Sequence, residues 1–312
     1  MRLGFDVGGT KTDAVAVAPT GTVVARIRRP TGWGAEAVVA TVTELAVELA
    51  DTVGIAPSEF LSIGVGMPGQ VAPGSAVVTH AVNLGIDRLD LSATIGAATG
   101  LPVRAENDVK AAAVGASALH GGLRGAGGSI AYLNLGTGVA AGYVTDGRLW
   151  RGAHGAAGEV GHISVDPHGP LCKCGQRGCI EALCGGGAIA ESWGRPGALP
   201  VRDVFDAADA GDARALELRS GLAYGVAAAI RVIVLAGDVD LVLLGGGVTA
   251  LGDRMMSLVV SELASSAAAS PFLSSLRLAE RVEMLPPGSP AAALGAAIIG
   301  AEATEQEAVA HG

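Results

Sequence analysis

Leu3-Gly4-Phe5-Asp6-Val7-Gly8-Gly9-Thr10-Lys11-Thr12-Asp13-Ala14-Val15-Ala16-Val17-Ala18 is the stretch that decides the fold. Alternating and β-branched residues predict a strand over Leu3–Val7, a tight turn over Gly8–Lys11 and a second strand over Asp13–Ala18. Pro19-Thr20-Gly21 then turns the chain into a third strand, Val23–Arg28. The same order returns further along. Ser129–Leu135 is followed by Gly136-Thr137-Gly138, Val139–Thr145, the hairpin turn Asp146-Gly147 and Arg148–Trp150. A pattern written twice implies two related α/β lobes with a cleft between them.

The intervening and following segments fit that plan. Ala35–Val53, rich in Ala, Val and Leu, predicts a helix, as does Asp108–Leu119, ended by Gly121-Gly122. Ser62–Gly66 predicts a strand running into Met67-Pro68-Gly69. After the second copy come a helix from about 213 to 236, a buried strand Asp240–Leu244 and the turn Gly245-Gly246-Gly247. A helix from Asp253 and a last one over Pro290–Ala301 complete the pattern, and the polar tail after Glu302 is expected to fray.

Composition narrows the classes. The 312 residues leave room for two domains, and 50% hydrophobic against 16% charged residues excludes a disordered chain. Aromatic residues are only 3%, so the core must be Ala, Val, Leu and Ile, and 48 glycines imply many close backbone approaches. With 21 basic against 30 acidic residues, a net charge of −9 argues against nucleic acid as a partner. The most apolar stretch, Val226–Ala236, is cut by Arg231 and falls short of the roughly 20 residues a membrane span needs. Met1–Asp6 lacks the apolar core of a signal peptide, so a cytoplasmic protein away from membranes is expected.

Three strand-to-turn junctions carry glycine clusters: Gly8-Gly9-Thr10-Lys11, Gly136-Thr137-Gly138 and Gly245-Gly246-Gly247. Any one could be a plain hairpin turn. Three together, two with Gly-Thr, point to backbone amides converging on phosphate. Asp6, at the end of an apolar strand, needs a cation or donors, and nucleotide-bound Mg2+ suits it. Gly4–Lys11 is not a Walker loop, because Thr10 stands where Lys is required. Gly64–Gly69 matches a dinucleotide-binding string, but Pro68 and the turn-rich residues after it open no helix.

All four cysteines (Cys172, Cys174, Cys179, Cys184) lie close together. Cys172, Cys174 and Cys179 with His162 make a common tetrahedral Zn2+ set, the alternative being free thiols. Four protein ligands leave no open position, so the zinc would be structural, fixing Glu159, Glu181 and the second ring nitrogen of His162 for a polyhydroxylated ligand. Cys184 reads as a surplus buried thiol at the start of a helix. Glu106-Asn107-Asp108 precedes an Ala-rich helix. Asn107 or Asp108 can cap that helix, and Asp108 can equally act as general base toward a substrate hydroxyl with Asn107 orienting it. The two roles are compatible.

These motifs, with Gly66-Met67-Pro68-Gly69 and Asn83-Leu84, fall in the order of the ROK (repressor, ORF, kinase) family, which the chain resembles over nearly its whole length; the cysteine pattern is the most specific piece. The resemblance implies the two-lobed actin/hexokinase-type (ribonuclease-H-like) α/β fold with a structural zinc loop. It implies a first lobe of residues 1–110 completed by a C-terminal helix, 299–312, and a second lobe of 111–298. It implies Asp108 as the base on a sugar 6-hydroxyl, with Asn83, Asn107, Glu159, His162 and Glu181 on sugar hydroxyls. Gly8, Gly9, Thr10 and Lys11, with Gly136, Thr137 and Gly138, would hold ATP phosphates. Gly246 and Gly247 would lie beside adenosine, and Asp6 near Mg2+. Dimers or tetramers are usual in the family.

The expected activity is ATP-dependent 6-phosphorylation of a hexose, glucose foremost, with N-acetylglucosamine or mannose as alternatives. Gly85-Ile86-Asp87 replaces the Trp-containing element of many glucokinases, and Val109-Lys110 replaces the commoner Ala-Asn; both departures bear on the sugar. A sugar-responsive repressor is disfavoured, since Asp6 leaves no room ahead for a helix-turn-helix. A sugar-binding protein without turnover is disfavoured by the intact turns and Asp108.

Overall fold

The computed structural model describes residues 1–121 and 128–310, with side chains through residue 301. It divides into two compact units, Met1–Gly127 with Gly142–Ala157 and Gly288–Gly312, and Gly128–Ala141 with Gly158–Pro287.

The first unit opens with β1 (Arg2–Val7), β2 (Lys11–Val17), β3 (Val23–Pro30) and α1 (Ala35–Val53). It continues through β4 (Ile63–Met67), β5 (Gln70–Val71), β6 (Val77–Ala81), β7 (Ile86–Asp90), α2 (Ala97–Thr99), β8 (Val103–Asn107) and α3 (Asp108–Leu119). Its main sheet has the order β3-β2-β1-β4-β8, while β5, β6 and β7 form a small sheet that the sequence reading had not anticipated. The hairpins β1–β2 and β2–β3 are antiparallel, and β1–β4 and β4–β8 are parallel. Leu3, Phe5, Ile63 and Val65 are buried in one core with Val38, Val42, Leu45 and Leu49 of α1.

The second sheet comprises β9 (Ser129–Leu135), β10 (Val139–Thr145), β11 (Arg148–Trp150), β12 (Leu241–Gly245) and β13 (Val282–Met284). Its order, β11-β10-β9-β12-β13, matches the first strand for strand, so the duplication seen in the sequence is a duplication of topology. The chain passes from one unit to the other within β10. The second unit adds α4 (Ile180–Cys184), α5 (Gly186–Trp193), α6 (Pro200–Asp209), α7 (Ala213–Gly237), α8 (Asp253–Ala268) and α9 (Pro271–Ser275).

The last helix, α10 (Ala291–Ala310), belongs to the first unit over its whole length, and α3 lies in that unit too. The expected boundaries instead begin the second lobe at 111 and return only 299–312 to the first. Glycines explain the difference. A Cβ on Gly4 would stand 2.0 Å from the Ala293 carbonyl oxygen, and one on Gly64 1.7 Å from that of Ala296. On α3, a Gly115 Cβ would meet the Ala291 oxygen at 1.8 Å. Backbone therefore lies directly on backbone, and no side-chain periodicity records such contacts. The helix stays regular through the polar tail expected to fray. Gly122 and residues 311–312 lie outside the described residues.

α7 is long and apolar enough by length and composition to cross a membrane, which the shorter stretch counted in the sequence did not show. Of its most apolar window 56% is buried within the protein, and Arg231, the charge that interrupts it, donates to Ser266 Oγ on α8 at 2.8 Å. Those are the surroundings of a core helix.

Candidate active site

In the first unit acidic residues gather at the carboxyl ends of the parallel strands. The β1–β4 and β4–β8 registers align Asp6, Gly66 and Glu106 in one row. A Cβ on Gly66 would stand 3.0 Å from Ala111 Cβ and 3.7 Å from Asp108 Cα, so glycine there seats the first turn of α3 against the sheet. Asp108 is thereby brought to Asp6. Burial first, then repulsion from Asp108 and Asp13, pushes the Asp6 carboxyl up to about 7. A carboxylate so placed calls for a cation.

Asn107 caps α3, accepting from Val109 N at 3.1 Å and Lys110 N at 3.3 Å, while its Nδ2 donates to Gly69 O at 3.3 Å. Asp108 occupies the first helical position and its Oδ1 accepts from Val109 N at 2.9 Å. The cap thus falls to Asn107, and Asp108 is partly buried in the first turn of the helix.

The turn Gly8–Lys11 closes through Gly8 N to Lys11 O at 3.0 Å, with Gly9, Thr10 and Lys11 exposed. Asn83 is exposed beside it, and its carbonyl oxygen would lie 3.1 Å from a Cβ on Gly9. Behind the turn, burial works against ionisation of Asp13, yet hydrogen bonds from Arg26 and Arg28 outweigh it and hold the carboxyl below its usual range. Arg28 reaches Asp13 Oδ2 at 2.8 Å and Arg26 Nε reaches Oδ1 at 2.8 Å.

Two contacts carry no signal in the sequence. Buried Glu106 accepts from Arg151 Nε at 2.7 Å, and buried Lys110 donates to Gly155 O at 2.5 Å. Together they hold residues 151–155 to the start of α3. Glu106 was visible as part of the motif, but its partner 45 residues away carried no local signal.

The second unit gathers its own set. Gly136-Thr137-Gly138 follows β9 and Gly245-Gly246-Gly247 follows its parallel neighbour β12. A Cβ on Gly246, whose φ is +92°, would meet Leu135 O at 2.5 Å, so the two turns are in contact, while nothing lies within 4 Å of a Gly247 Cβ. Glu181 Oε2 accepts from Val139 N at 2.9 Å and would lie 2.6 Å from a Gly138 Cβ. This bond ties the carboxylate to the first residue of β10, directly after the Gly-Thr turn. Gly158 and Gly161 lay Glu159 and His162 along β10, where Cβ atoms would stand 1.9 Å from Ala141 O and 2.0 Å from Val139 O. Glu159 is exposed.

The donor atoms of His162, Cys172, Cys174 and Cys179 all lie within 4.8 Å of one another. Cys174 Sγ and Cys179 Sγ are 3.6 Å apart, and Cys172 Sγ is 3.9 Å from His162 Nδ1. Zinc–sulfur bonds of about 2.3 Å at tetrahedral angles separate sulfurs by about 3.8 Å, so the donors fit Zn2+. Donation from Gln176 lowers the Cys174 thiol to about 6, whereas burial, then Cys174 and Cys172, raises Cys179 to about 12. Cys184 is wholly buried, as expected, but ends α4 rather than beginning a helix, and its thiol donates to Ile180 O at 3.2 Å.

This strand order, carried twice, with acidic residues and glycine turns at the strand ends, is the ROK sugar kinase fold, related to that of actin and hexokinase. The ROK family model matches residues 2–303, and the chain belongs to that family. It is 31% identical over 276 residues to a glucokinase of Halalkalibacterium halodurans, covering 81% of this chain and 82% of that one. It is 32% identical over 272 residues to an N-acetylmannosamine kinase of Escherichia coli O157:H7, covering 86% and 89%. Among solved structures, a ROK family glucokinase from Streptomyces griseus in complex with glucose and AMPPNP superposes with a TM-score of 0.78 at 26% identity, covering 96% of this chain and 99% of that one.

Proposed function

We propose that the protein transfers the γ-phosphoryl group of ATP to the 6-hydroxyl of a hexose, with glucose as the foremost acceptor. The observation that carries this reading is the placement of Asp108 beside Asp6, at the mouth of a row of parallel strands and next to the glycine turn. Relatives named for glucose and for N-acetylmannosamine support a sugar acceptor, and a relative crystallised with AMPPNP supports ATP as donor.

In the reaction Asp108 accepts the proton of O6 as that oxygen bonds to the γ-phosphorus. The bond from phosphorus to the β–γ bridging oxygen breaks, and ADP leaves with its electron pair. An ordinary carboxylate suffices as base, because the transition state is loose and the proton moves late. Mg2+, when bound, neutralises charge on the phosphates, and Asp6 is the side chain suited to hold it. Gly8–Lys11 and Gly136–Gly138 offer amides and hydroxyls to phosphate oxygens, and Gly247, next to Gly246, leaves open space suited to the nucleoside. Asn83, Asn107, Glu159, His162 and Glu181 are assigned to sugar hydroxyls. Zn2+ on His162 Nδ1 and three cysteines would fix the loop that precedes Glu181. The remaining parts of the reading are a cytoplasmic location and a homodimer or homotetramer.

The test is a coupled ADP-release assay over glucose, mannose, N-acetylglucosamine and N-acetylmannosamine, with a 6-deoxy sugar as control. Asp108→Asn should lower kcat by about 10²–10⁴-fold while sugar binding is retained. An unchanged kcat removes the base assignment.

A further inference from the structure

Trp33 is 70% exposed, yet its backbone is held from both sides. Before it, buried Thr31 donates from Oγ1 to Gly8 O at 2.7 Å and from N to Thr10 O at 3.3 Å. After it, Gly34 N donates to Leu84 O at 2.9 Å. The residue is flanked by Gly32 at φ +81° and Gly34 at φ +90°, a pair of left-handed bends that side chains rarely adopt. They turn the indole out between two anchors, the glycine turn and the Asn83 segment.

The indole also has a defined seat. A Cβ on Gly85 would stand 2.6 Å from Cε2, 2.7 Å from Nε1 and 2.8 Å from Cζ2 of Trp33. Only glycine at 85, at φ +67°, lets the ring settle on the backbone directly after Asn83-Leu84. Val82, on the other side of Asn83, is 75% exposed. Two apolar side chains thus border an exposed amide at the edge of the glycine turn.

We infer that Trp33 is a specificity-determining residue of the acceptor site, stacking on the C–H face of a pyranose whose hydroxyls Asn83 meets. This rests on the proposed sugar-kinase reading and deepens it. A pyranose with equatorial hydroxyls presents axial C–H bonds on its faces, and an aromatic ring offers them a polarisable, weakly negative surface. The ring has few torsions to freeze, and its seat on Gly85 freezes them before the sugar arrives, so the ordering cost on binding is small.

The experiment combines steady-state kinetics with Trp fluorescence. Trp33→Ala should raise the KM for the best hexose about tenfold, with kcat and the KM for ATP within about twofold, as expected for loss of one aromatic stacking contact. Trp33→Phe should recover most of that loss. Trp150→Phe removes the other exposed tryptophan, leaving Trp193, which is 7% exposed, as background. In that protein, saturating hexose should change the emission of Trp33. Hexose phosphorylation with an unchanged sugar KM in Trp33→Ala overturns the inference and leaves the kinase reading standing. An unchanged sugar KM accompanied by altered sedimentation identifies a subunit contact instead and also overturns it. Wild-type protein that phosphorylates no hexose, with no change in emission, brings down both.

Discussion

Gly64→Ala is the perturbation that most directly probes how the first unit is built. The added Cβ would stand 1.7 Å from the carbonyl oxygen of Ala296 and 3.1 Å from Gly300 N, both backbone atoms of α10. A carbon and an oxygen rest no closer than about 3.2 Å, so α10 would have to retreat by about 1.5 Å. It cannot bend away locally, because Gly4, Gly115, Gly295 and Gly300 press the same helix backbone to β1, α3 and β4. Overpacking a well-packed core costs about 1–3 kcal/mol, and the upper end applies where the obstacle is backbone. At roughly 2–4 °C per kcal/mol for a chain of this size, Tm should fall by about 6–12 °C. Gly221→Ala in α7 is the control, since nothing lies within 4 Å of its Cβ and a helical Gly→Ala change stabilises by up to about 1 kcal/mol. Differential scanning calorimetry of both variants reads the contrast. A Gly64→Ala protein melting within about 2 °C of wild type, roughly one-sixth to one-third of the expected shift, would refute the backbone-on-backbone seat.

Two further outcomes follow from the polar clusters. Cys179→Ser should abolish stoichiometric zinc, measured by elemental analysis, and lower Tm; freshly purified wild-type protein with full activity and no zinc would remove the structural role. Asp13→Asn should destabilise by about 2–3 kcal/mol at neutral pH, less than a fully buried pair because Arg28 is 45% exposed. Its folded-state pKa lies below the unfolded value, so the stabilisation is present above the ordinary carboxylate range and disappears as pH falls through the folded pKa. Urea unfolding at pH 7 and pH 3 should therefore show wild type and Asp13→Asn converging in acid. A constant gap between them contradicts the ion-pair account.

The main elements of the repeated plan were legible in order and almost in length, whereas β5–β8, α2, α5, α6, α9 and β13 were not. The spans expected for α1, α3, β9, β10 and β11 are the observed ones, because each combines a strong period with a glycine or polar stop. The candidate site was legible where chemistry is written in contiguous residues. Gly8-Gly9-Thr10-Lys11 does form a closed turn, and Asn107-Asp108 does begin a helix. The proximity of His162, Cys172, Cys174 and Cys179 was legible for a related reason, since the three cysteines lie within eight residues and spacing alone brings them close.

The pairings between distant segments were not legible. The approach of Asp108 to Asp6 depends on the absent Cβ of Gly66, and nothing in the sequence around Gly66 says which of its faces meets a helix. The Glu106–Arg151 pair, the Trp33 seat on Gly85 and the bond from Glu181 to Val139 join segments whose separation follows no period. The sequence by itself determined the repeated strand plan, the turns and the closeness of the cysteine cluster, because local sterics, hydrophobic period and short spacing act within a few residues. Only the tertiary structure decided that α10 belongs wholly with the first unit and which carboxylates meet. Those outcomes come from backbone surfaces in contact across the fold, where the deciding group is often the side chain a glycine lacks.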